Sequence, residues 1–302
     1  MKKRINGLLR LARYKEFVSF VVITTLLGAA VGKGILGWRL IVVLLANWLA
    51  VGFAFMINDV EDAVDDALNP AKAKRNPVSA GDLSPRQGHV ASFGVAVMAA
   101  VLYALLGTWP FVVGATCLII GYVYSWRRIR LKSIPVADLI SHGLMLAGLQ
   151  FLAAHFTFGP GPAWRWVFPL TFLVAISLYG QLFNELRDFE GDVQAGVTHT
   201  ASLLGRRVAH LLMMTLFSMG VLSAIVTVFI VRLIPTWVLL VAAALAAILL
   251  IRPLLRLRRH HSALELQAPL QKPLEHAAAI AFALWFVEPW AMSVVRSVLV
   301  RF

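Results

Sequence analysis

The sequence is poor in charge and has almost no cysteine. Only 14% of its 302 residues are charged, whereas 60% are hydrophobic, and this balance excludes an ordinary soluble domain. The single Cys117 excludes a disulfide framework and a metal site built from cysteines. Acidic residues are also scarce, at 15 against 28 Lys and Arg, so a cluster of them calls for an explanation.

Most of the sequence consists of long apolar runs. A run of about 20 apolar residues is long enough to cross the hydrocarbon core as a helix. The first run lacks a small-residue cleavage site, so we interpret it as a span and not as a removable signal peptide. The sequence predicts an all-α fold, with residues 1–302 forming a single polytopic membrane domain, a bundle of nine transmembrane helices. The nine runs are 16–32, 38–57, 88–107, 109–125, 137–156, 166–184, 208–231, 234–251 and 275–295.

The net charge of +13 follows the predicted topology. With a cytoplasmic N-terminus, 22 of the 28 Lys and Arg residues fall on cytoplasmic segments, so the positive-inside rule predicts that the C-terminus lies on the opposite side. We expect a bacterial or archaeal-type plasma membrane, whose anionic lipids account for the basic surface without any nucleic acid partner. The sequence carries no signal of oligomeric state. The basic residues on the other side are Lys33, Arg39, Arg165, Arg232, Arg296 and Arg301.

An acidic segment follows the second apolar run directly. Residues 58–66 read NDVEDAVDD. If the helix continues at 100° per residue, Asp59, Asp62 and Asp66 share one narrow face. Stacked carboxylates repel each other unless a cation lies between them, and Mg²⁺ is the hard ion that favours all-oxygen sites.

A second segment, NELRDFEGD at residues 184–192, repeats this spacing. A duplicated helical hairpin is the simplest cause of such an internal pseudo-repeat. Each segment alone is compatible with a solvated acidic helix end or, less well, a calcium site, although neither has the EF-hand pattern. Matched acids on a side that otherwise collects Lys and Arg favour a shared metal site. Its predicted ligands are Asp59, Asp62, Asp66, Glu185, Asp188 and Asp192.

Two carboxylate clusters that hold Mg²⁺ suit the diphosphate of a prenyl diphosphate, whose hydrocarbon tail could lie between helices. Basic side chains on the same side suit phosphate oxygens. Asn47 lies three helical turns before Asn58, where it can touch an acceptor or form a hydrogen bond between helices. The basic candidates are Arg13, Lys72, Lys74, Arg75, Arg130 and Lys132.

Taken together, these features resemble the UbiA superfamily of intramembrane prenyltransferases. The resemblance covers nearly the whole chain and rests on N-D-x-x-D-x-x-x-D at 58–66, D-x-x-x-D at 188–192, K-x-K-R-N-P-x-x-x-G at 72–81 and Y-S-x-x-x-x-R-L-K at 124–132. The chain has Asn76 before Pro77 where the family usually has Arg.

The resemblance implies a nine-helix bundle with a cavity open sideways to lipid. It also implies that both aspartate motifs bind Mg²⁺ and the diphosphate while an allylic prenyl group moves to an acceptor. The implied catalytic residues are Asp59, Asp62, Asp66, Asp188 and Asp192. The implied substrate-binding residues are Arg13, Asn47, Asn58, Lys72, Lys74, Arg75, Tyr124, Ser125, Arg130, Lys132 and Asn184.

The functional hypothesis is therefore Mg²⁺-dependent transfer of a prenyl group to an electron-rich, preferably aromatic, acceptor within the membrane. A terpene cyclase acting on the same diphosphate without an acceptor is the alternative. A transporter fits less well, because transporter sites lie near the membrane midplane and these acids lie at helix ends. The acceptor classes considered are a phenolic acid, a quinone precursor, a tetrapyrrole, a sugar phosphate and a glycerol lipid.

Overall fold

The structure is a computed structural model that describes residues 2–159, 163–194, 198–257 and 263–299. The side chains of 2–3, 71, 163, 191–194, 256–257, 263–268 and 293–299 lie outside this description. All regular elements in the described ranges are helical, as the sequence predicts. Besides short 3-10 and π-helical turns, the α-helices are α1 Lys2–Leu11, α2 Val18–Val31, α3 Trp38–Glu61, α4 Ala63–Asp66, α5 Pro70–Arg75, α6 Pro85–Leu106, α7 Thr108–Ser125, α8 Ala137–Gly143, α9 Leu149–Phe158, α10 Ala163–Gln194, α11 Thr200–Ile225, α12 Thr236–Leu257 and α13 Ala263–Leu299.

Within the described residues, seven helices are long and apolar enough to cross a membrane. The number becomes eight if α1 and α2, which meet at a bend of 55°, count as one broken span. A multi-pass membrane protein is therefore confirmed, whereas the count of nine stays a prediction. A π-helical turn, Leu144–Gly148, joins α8 to α9, and together these form the single span Ala137–Phe158.

The first half of the bundle is held together by a buried polar network around Asn47 on α3. Its amide nitrogen donates to the Thr25 hydroxyl at 2.8 Å and to the Gln150 carbonyl at 3.1 Å. Its amide oxygen accepts from the Tyr103 hydroxyl at 2.6 Å. Asn47 thus bonds to three other helices and is fully buried. These contacts match the second of its two predicted roles, a hydrogen bond between helices, and its role in substrate binding stays a prediction.

Helix α2 packs closely on α9, as its small residues allow. A Cβ on Gly28 would lie 2.3 Å from the Phe151 carbonyl oxygen, so any side chain there would force the helices apart. The other face of α2 lies against α13 and part of α10, and α10 pairs along its length with α11. The central position of α2 therefore joins the two halves of the bundle.

A cavity of about 1110 Å³ opens on the side of the bundle, between α11 and α13. Helices α2 and α10 form its inner wall. Leu211 and Leu274, on the two outer helices, are 60% and 47% exposed, as expected at an opening that faces lipid. We call this cavity the lateral groove. It agrees with the cavity open to lipid that the family resemblance implies.

Candidate active site

The first acidic motif lies where α3 ends. Asp62 is the C-terminal cap of α3 and begins the short α4. Helical hydrogen bonds continue across this point, since the Asp62 amide donates to the Asn58 carbonyl at 2.9 Å and the Asp66 amide donates to the Asp62 carbonyl at 2.8 Å. The helical spacing assumed in the sequence analysis is therefore nearly preserved, although Asp62 itself, with a ψ of −2°, separates α3 from α4.

Basic side chains from two other segments reach this motif. Arg13 donates to the Asp59 carboxylate at 3.2 Å, and Arg130 donates to the Asp62 carboxylate at 3.2 Å. Lys132 contacts the other oxygen of Asp62 and donates to the Asn58 amide oxygen at 2.8 Å. These pairs bring together six of the residues predicted from the sequence. A seventh, Ser125, is buried and donates to Asn58 at 3.2 Å.

Two of the arginines that bind this segment have a left-handed backbone. Arg13 has φ of 45° and Arg130 has φ of 53°. Non-glycine residues adopt this conformation only at a cost, and such strain concentrates where a functional side chain must be positioned. The backbone of both residues thus supports a role at the site, independently of the ion pairs.

Asn76 is the main contact that the sequence analysis missed. Its side chain is fully buried, and its amide donates to the Asp66 carboxylate at 2.9 Å and to the Asp59 carbonyl at 2.6 Å. Its oxygen accepts from the Val78 amide at 3.0 Å. Asn76 stands at the position where the family usually has Arg, and it ties the segment after motif one to the motif.

Arg127 also contacts this acidic segment, although it was not among the predicted site residues. It donates to the Asp65 carboxylate at 3.0 Å and to the Glu61 carbonyl at 2.8 Å. Burial acts to raise the pKa of Asp65, but hydrogen bonds and charges from Arg130 and Arg127 outweigh it and lower that pKa overall. Arg127 and Arg130 therefore hold the outer acids of this segment while Arg130 also reaches Asp62.

Lys132 is, after Arg13, the most enclosed of these basic residues. Burial lowers the pKa of its ammonium group, and the neighbouring Asp62 carboxylate counteracts this effect by favouring the charged form. Its side chain is only 14% exposed. A lysine held in this way presents a positive charge that water screens weakly, which suits a phosphate oxygen.

In the second motif, Glu185 of α10 is buried and belongs to a hydrogen-bond network with the first residues of α11. Its carboxylate accepts from Gln181 at 3.0 Å and from the Ala201 amide at 3.0 Å. Nearby, Asp138 accepts from the Thr200 amide at 2.6 Å and also contacts the Thr200 hydroxyl. Carboxylates are favoured at a helix N-terminus because they satisfy its free N–H groups. In this structure Glu185 is used for packing, so its predicted role as a metal ligand has no support from its contacts.

The remaining residues of motif two are less enclosed. Asp188 is 52% exposed and pairs with the adjacent Arg187 at 3.0 Å, and Asn184 is exposed. The Asp192 side chain lies outside the described residues. Gln181, Glu185 and Asp188 nevertheless share one strip of α10, because they fall within about 60° of each other at 100° per residue.

The segment 126–136 connects the two motifs. Its Arg130 and Lys132 bind motif one, while the Ser133 carbonyl accepts from the Thr198 hydroxyl at 3.0 Å. The Val136 amide donates to the Thr200 hydroxyl at 2.7 Å, and Val136 has a φ of 71° that a β-branched residue rarely adopts. We call residues 126–136 the bridging loop. Motif one and the segment after motif two are thus attached to the same short stretch of chain.

Tyr124, just before the bridging loop, lies between residues of the two motifs. Its hydroxyl lies close to the Gln181 side chain, and the charges of Glu185 from motif two and Asp62 from motif one both act on it. That the two acidic segments form one site stays a prediction.

The residues fit a divalent cation in part. In the described part of the chain, no three acidic, His or Cys side chains come close enough to share a metal ion. However, the second carboxylate oxygen of Asp59 is buried and accepts no hydrogen bond from the described residues. A buried carboxylate oxygen without a donor is costly unless a cation or another partner meets it, and oxygen donors are what Mg²⁺ prefers.

Three of the predicted phosphate-binding residues have side chains that lie on the surface of the protein. The side chains of Lys72, Lys74 and Arg75 are exposed. The charge of Arg75 still acts on Asp59, so this residue stays near motif one. The backbone carbonyls of Lys74 and Arg75 accept from Arg10, which fastens α5 to α1 and leaves the three cationic side chains facing outward.

The comparisons with known proteins identify the family. Residues 21–270 match the model of the UbiA prenyltransferase family. The chain belongs to this family. UbiA homologues of known structure share its fold: one from Archaeoglobus fulgidus, solved with GPP and Mg²⁺ bound, has a TM-score of 0.63 at 21% identity and covers 92% of this chain and 98% of its own.

Two curated relatives are closer in sequence. A lycopene elongase/hydratase of Haloarcula japonica is 30% identical over 213 residues, which are 67% of this chain and 68% of the relative. Its counterpart in Haloferax volcanii is 30% identical over 161 residues, 51% of this chain and 49% of the relative. The match thus spans about half to two thirds of these relatives' length.

Proposed function

We propose that this UbiA-family protein transfers a prenyl group from an allylic prenyl diphosphate to an electron-rich acceptor within the membrane, with Mg²⁺ as cofactor. The observation that supports the proposal is that the bridging loop bonds both to motif one and to the segment that follows motif two. The structure bound to GPP and Mg²⁺ from Archaeoglobus fulgidus supports the choice of donor and metal.

The metal would be held by Asp59, Asp62 and Asp66 on one side and by Asp188 and Asp192 on the other. When bound, Mg²⁺ supplies positive charge that neutralises the diphosphate. The oxygen of Asp59 that lacks a donor among the described residues is available without rearrangement, whereas the exposed carboxylate of Asp188 would give up its pairing with Arg187. Glu185 would keep its structural role at the start of α11.

Arg130 and Lys132 would bind the diphosphate oxygens and so stabilise the charge that grows as the allylic C–O bond breaks. The bonding electron pair leaves with the diphosphate. An allylic cation then accepts the π electrons of the acceptor, a new C–C bond forms, and loss of a proton restores the acceptor's neutral form. The apolar bundle keeps water from the cation, so no covalent nucleophile is required.

The acceptor is the least constrained part of the proposal. An aromatic acceptor follows from the family resemblance. A polyene is the second candidate, and it is favoured by the two relatives named lycopene elongase/hydratase. Both acceptors are electron-rich and both partition into the membrane, so they place the same demands on the diphosphate site.

The proposal is tested by Asp62→Asn and Asp188→Asn, with Glu288→Gln as a control for loss of one negative charge. Each substitution keeps side-chain size but removes a charge that would face the metal. We expect the rate of diphosphate release to fall at least a hundredfold in both site variants and to stay unchanged in the control. All three variants should remain folded in detergent. Full activity in both site variants would refute the metal role.

The same assay separates transferase from cyclase. Purified protein is incubated with a prenyl diphosphate and Mg²⁺, with and without a polyene or phenolic acceptor. A transferase gives a prenylated acceptor and little turnover in its absence. Diphosphate release together with a cyclic hydrocarbon, in the absence of acceptor, would instead establish the cyclase.

A further inference from the structure

A small pocket lies between α1 and the start of α6. It has a volume of about 360 Å³, and its apolar lining comes from Leu8 of α1, Leu83 before α6, and Val90 and Ala91 of α6. The pocket shares no lining residue with the lateral groove, and none of its lining residues belongs to the candidate active site. We call it the α1–α6 pocket. The proposed prenyl transfer leaves it without a role.

Two arginines also line the α1–α6 pocket, Arg4 from α1 and Arg86 from the first turn of α6. Both side chains are exposed, and in the described part of the chain neither forms an ion pair with a carboxylate. The first turn of α6 contains no acidic residue, and Asp82, just before that helix, is paired with Arg10. Two like charges at one pocket repel each other, so an anion between them is favoured.

Helix α1 has the features of a helix at the membrane surface. It does not continue the direction of α2, because the chain bends by 55° between them. Its apolar residues Ile5, Leu8 and Leu9 are exposed, and the same short helix carries the exposed Arg4 and Arg10. A helix that exposes apolar side chains beside basic ones is typical of the headgroup region. The α1–α6 pocket therefore opens at the depth of the lipid phosphates.

An apolar strip of α6 continues from the pocket. Val90, Val97 and Val101 are each more than half exposed, and they share one face of the helix with Gly94. A Cβ on Gly94 would meet nothing within 4 Å, so the strip is open at this position. From residue 90 to residue 101 it extends roughly 17 Å at 1.5 Å per residue. One leaflet of the hydrocarbon core is about 15 Å thick, so an acyl chain can lie along the strip.

We propose that the α1–α6 pocket binds one anionic phospholipid, with its phosphate against Arg4 and Arg86 and an acyl chain along the strip of α6. Guanidinium groups bind phosphate oxygens through paired hydrogen bonds. Basic pockets between helices on the cytoplasmic side, where α1 is predicted to lie, are suited to acidic headgroups. Phosphatidylcholine offers the same phosphate, but its quaternary ammonium cancels the negative charge and would lie beside the two guanidinium groups.

The test measures lipid binding to the purified full-length protein by native mass spectrometry, with phosphatidylglycerol and phosphatidylcholine of identical acyl chains. We expect phosphatidylglycerol to bind preferentially and Arg86→Gln to reduce that preference about fivefold, the effect of one basic group near a lipid surface. Arg252→Gln removes an exposed arginine from α12, outside the pocket, and should keep the preference. Ala91→Phe fills the pocket without a change of charge and should weaken binding of both lipids.

Three results would overturn the proposal. Equal binding of the two lipids to the unaltered protein would exclude charge recognition. An equal loss of preference in Arg252→Gln would show general attraction to the basic surface. A dimer of the unaltered protein that Ala91→Phe abolishes would assign the pocket to a second copy of the chain.

Discussion

At the scale of single residues, the acids of motif one differ in how fully their oxygens are satisfied. Asp62 has Arg130 and Lys132 on its two oxygens, whereas Asp59 has Arg13 on one oxygen and no hydrogen-bond donor among the described residues on the other. In the absence of substrate, the paired Arg and Lys side chains neutralise the carboxylates of motif one and so reduce the repulsion between them. A diphosphate would compete with Asp62 for the same two cations, which links substrate binding to release of the carboxylate.

Asn76 is the residue whose substitution tests this local structure. Asn76→Ala would leave the Asp59 carbonyl and the Asp66 carboxylate without their shared donor, and buried unsatisfied groups of this kind cost about 1–3 kcal/mol. We expect a lower midpoint of thermal unfolding in detergent and at least a tenfold loss of kcat/KM for the prenyl diphosphate. A variant as stable and active as the original protein would show that Asn76 does not position the motif.

At the scale of elements, the bridging loop is the feature that joins the two halves. Its strained Val136 and Arg130 are held because both ends of the loop are fixed, by motif one on one side and by the start of α11 on the other. The network of Asp138, Thr200 and Glu185 lies beneath it. Helix α11 thus begins at a point set by the same contacts that orient the loop.

Thr200→Val tests this coupling, because it removes a hydroxyl that both Val136 and Asp138 use. We expect about a tenfold loss of kcat/KM, with KM for the prenyl diphosphate raised, since the loop carries Arg130 and Lys132. Thr215→Val on the same helix is the matched control: that hydroxyl bonds only to the Leu211 carbonyl of its own helix. Equal kinetics in the two variants would mean that the loop does not depend on this bond.

Much of this arrangement could be predicted from sequence, and the reasons for success and failure are physical. The acidic spacing at Asp59, Asp62 and Asp66 was informative because helical periodicity fixes which residues are neighbours. Glu185 matches Asp59 in spacing and in burial, but spacing does not show its partners at the start of α11, and its role as a metal ligand stays a prediction. Asn76 and Arg127 could not be found, since their contacts depend on how separate segments fold back.

At the scale of the whole molecule, the bundle places both motifs and the bridging loop at one end. The span count of nine and the orientation in the membrane remain predictions from apolar runs and basic residues. The buried Cys117 makes the orientation simple to measure, because the chain has no other cysteine.

Ala80→Cys and Ile35→Cys place exposed thiols on loops predicted to lie on opposite sides of the membrane. With intact cells and an impermeant thiol reagent, we expect labelling at position 35 and none at position 80 until the cells are opened. The unaltered protein, with only Cys117, should stay unlabelled throughout. The reverse pattern at the two positions would invert the topology.

The most direct test of the central claim, that two acidic motifs share one metal-dependent diphosphate site, is the affinity for an unreactive prenyl diphosphate analogue measured with and without Mg²⁺. We predict that Mg²⁺ strengthens binding to the original protein and that Asp62→Asn and Asp188→Asn each weaken binding at least tenfold, in Mg²⁺ only. If either variant binds the analogue as tightly as the original protein at every Mg²⁺ concentration, the two motifs do not form one site.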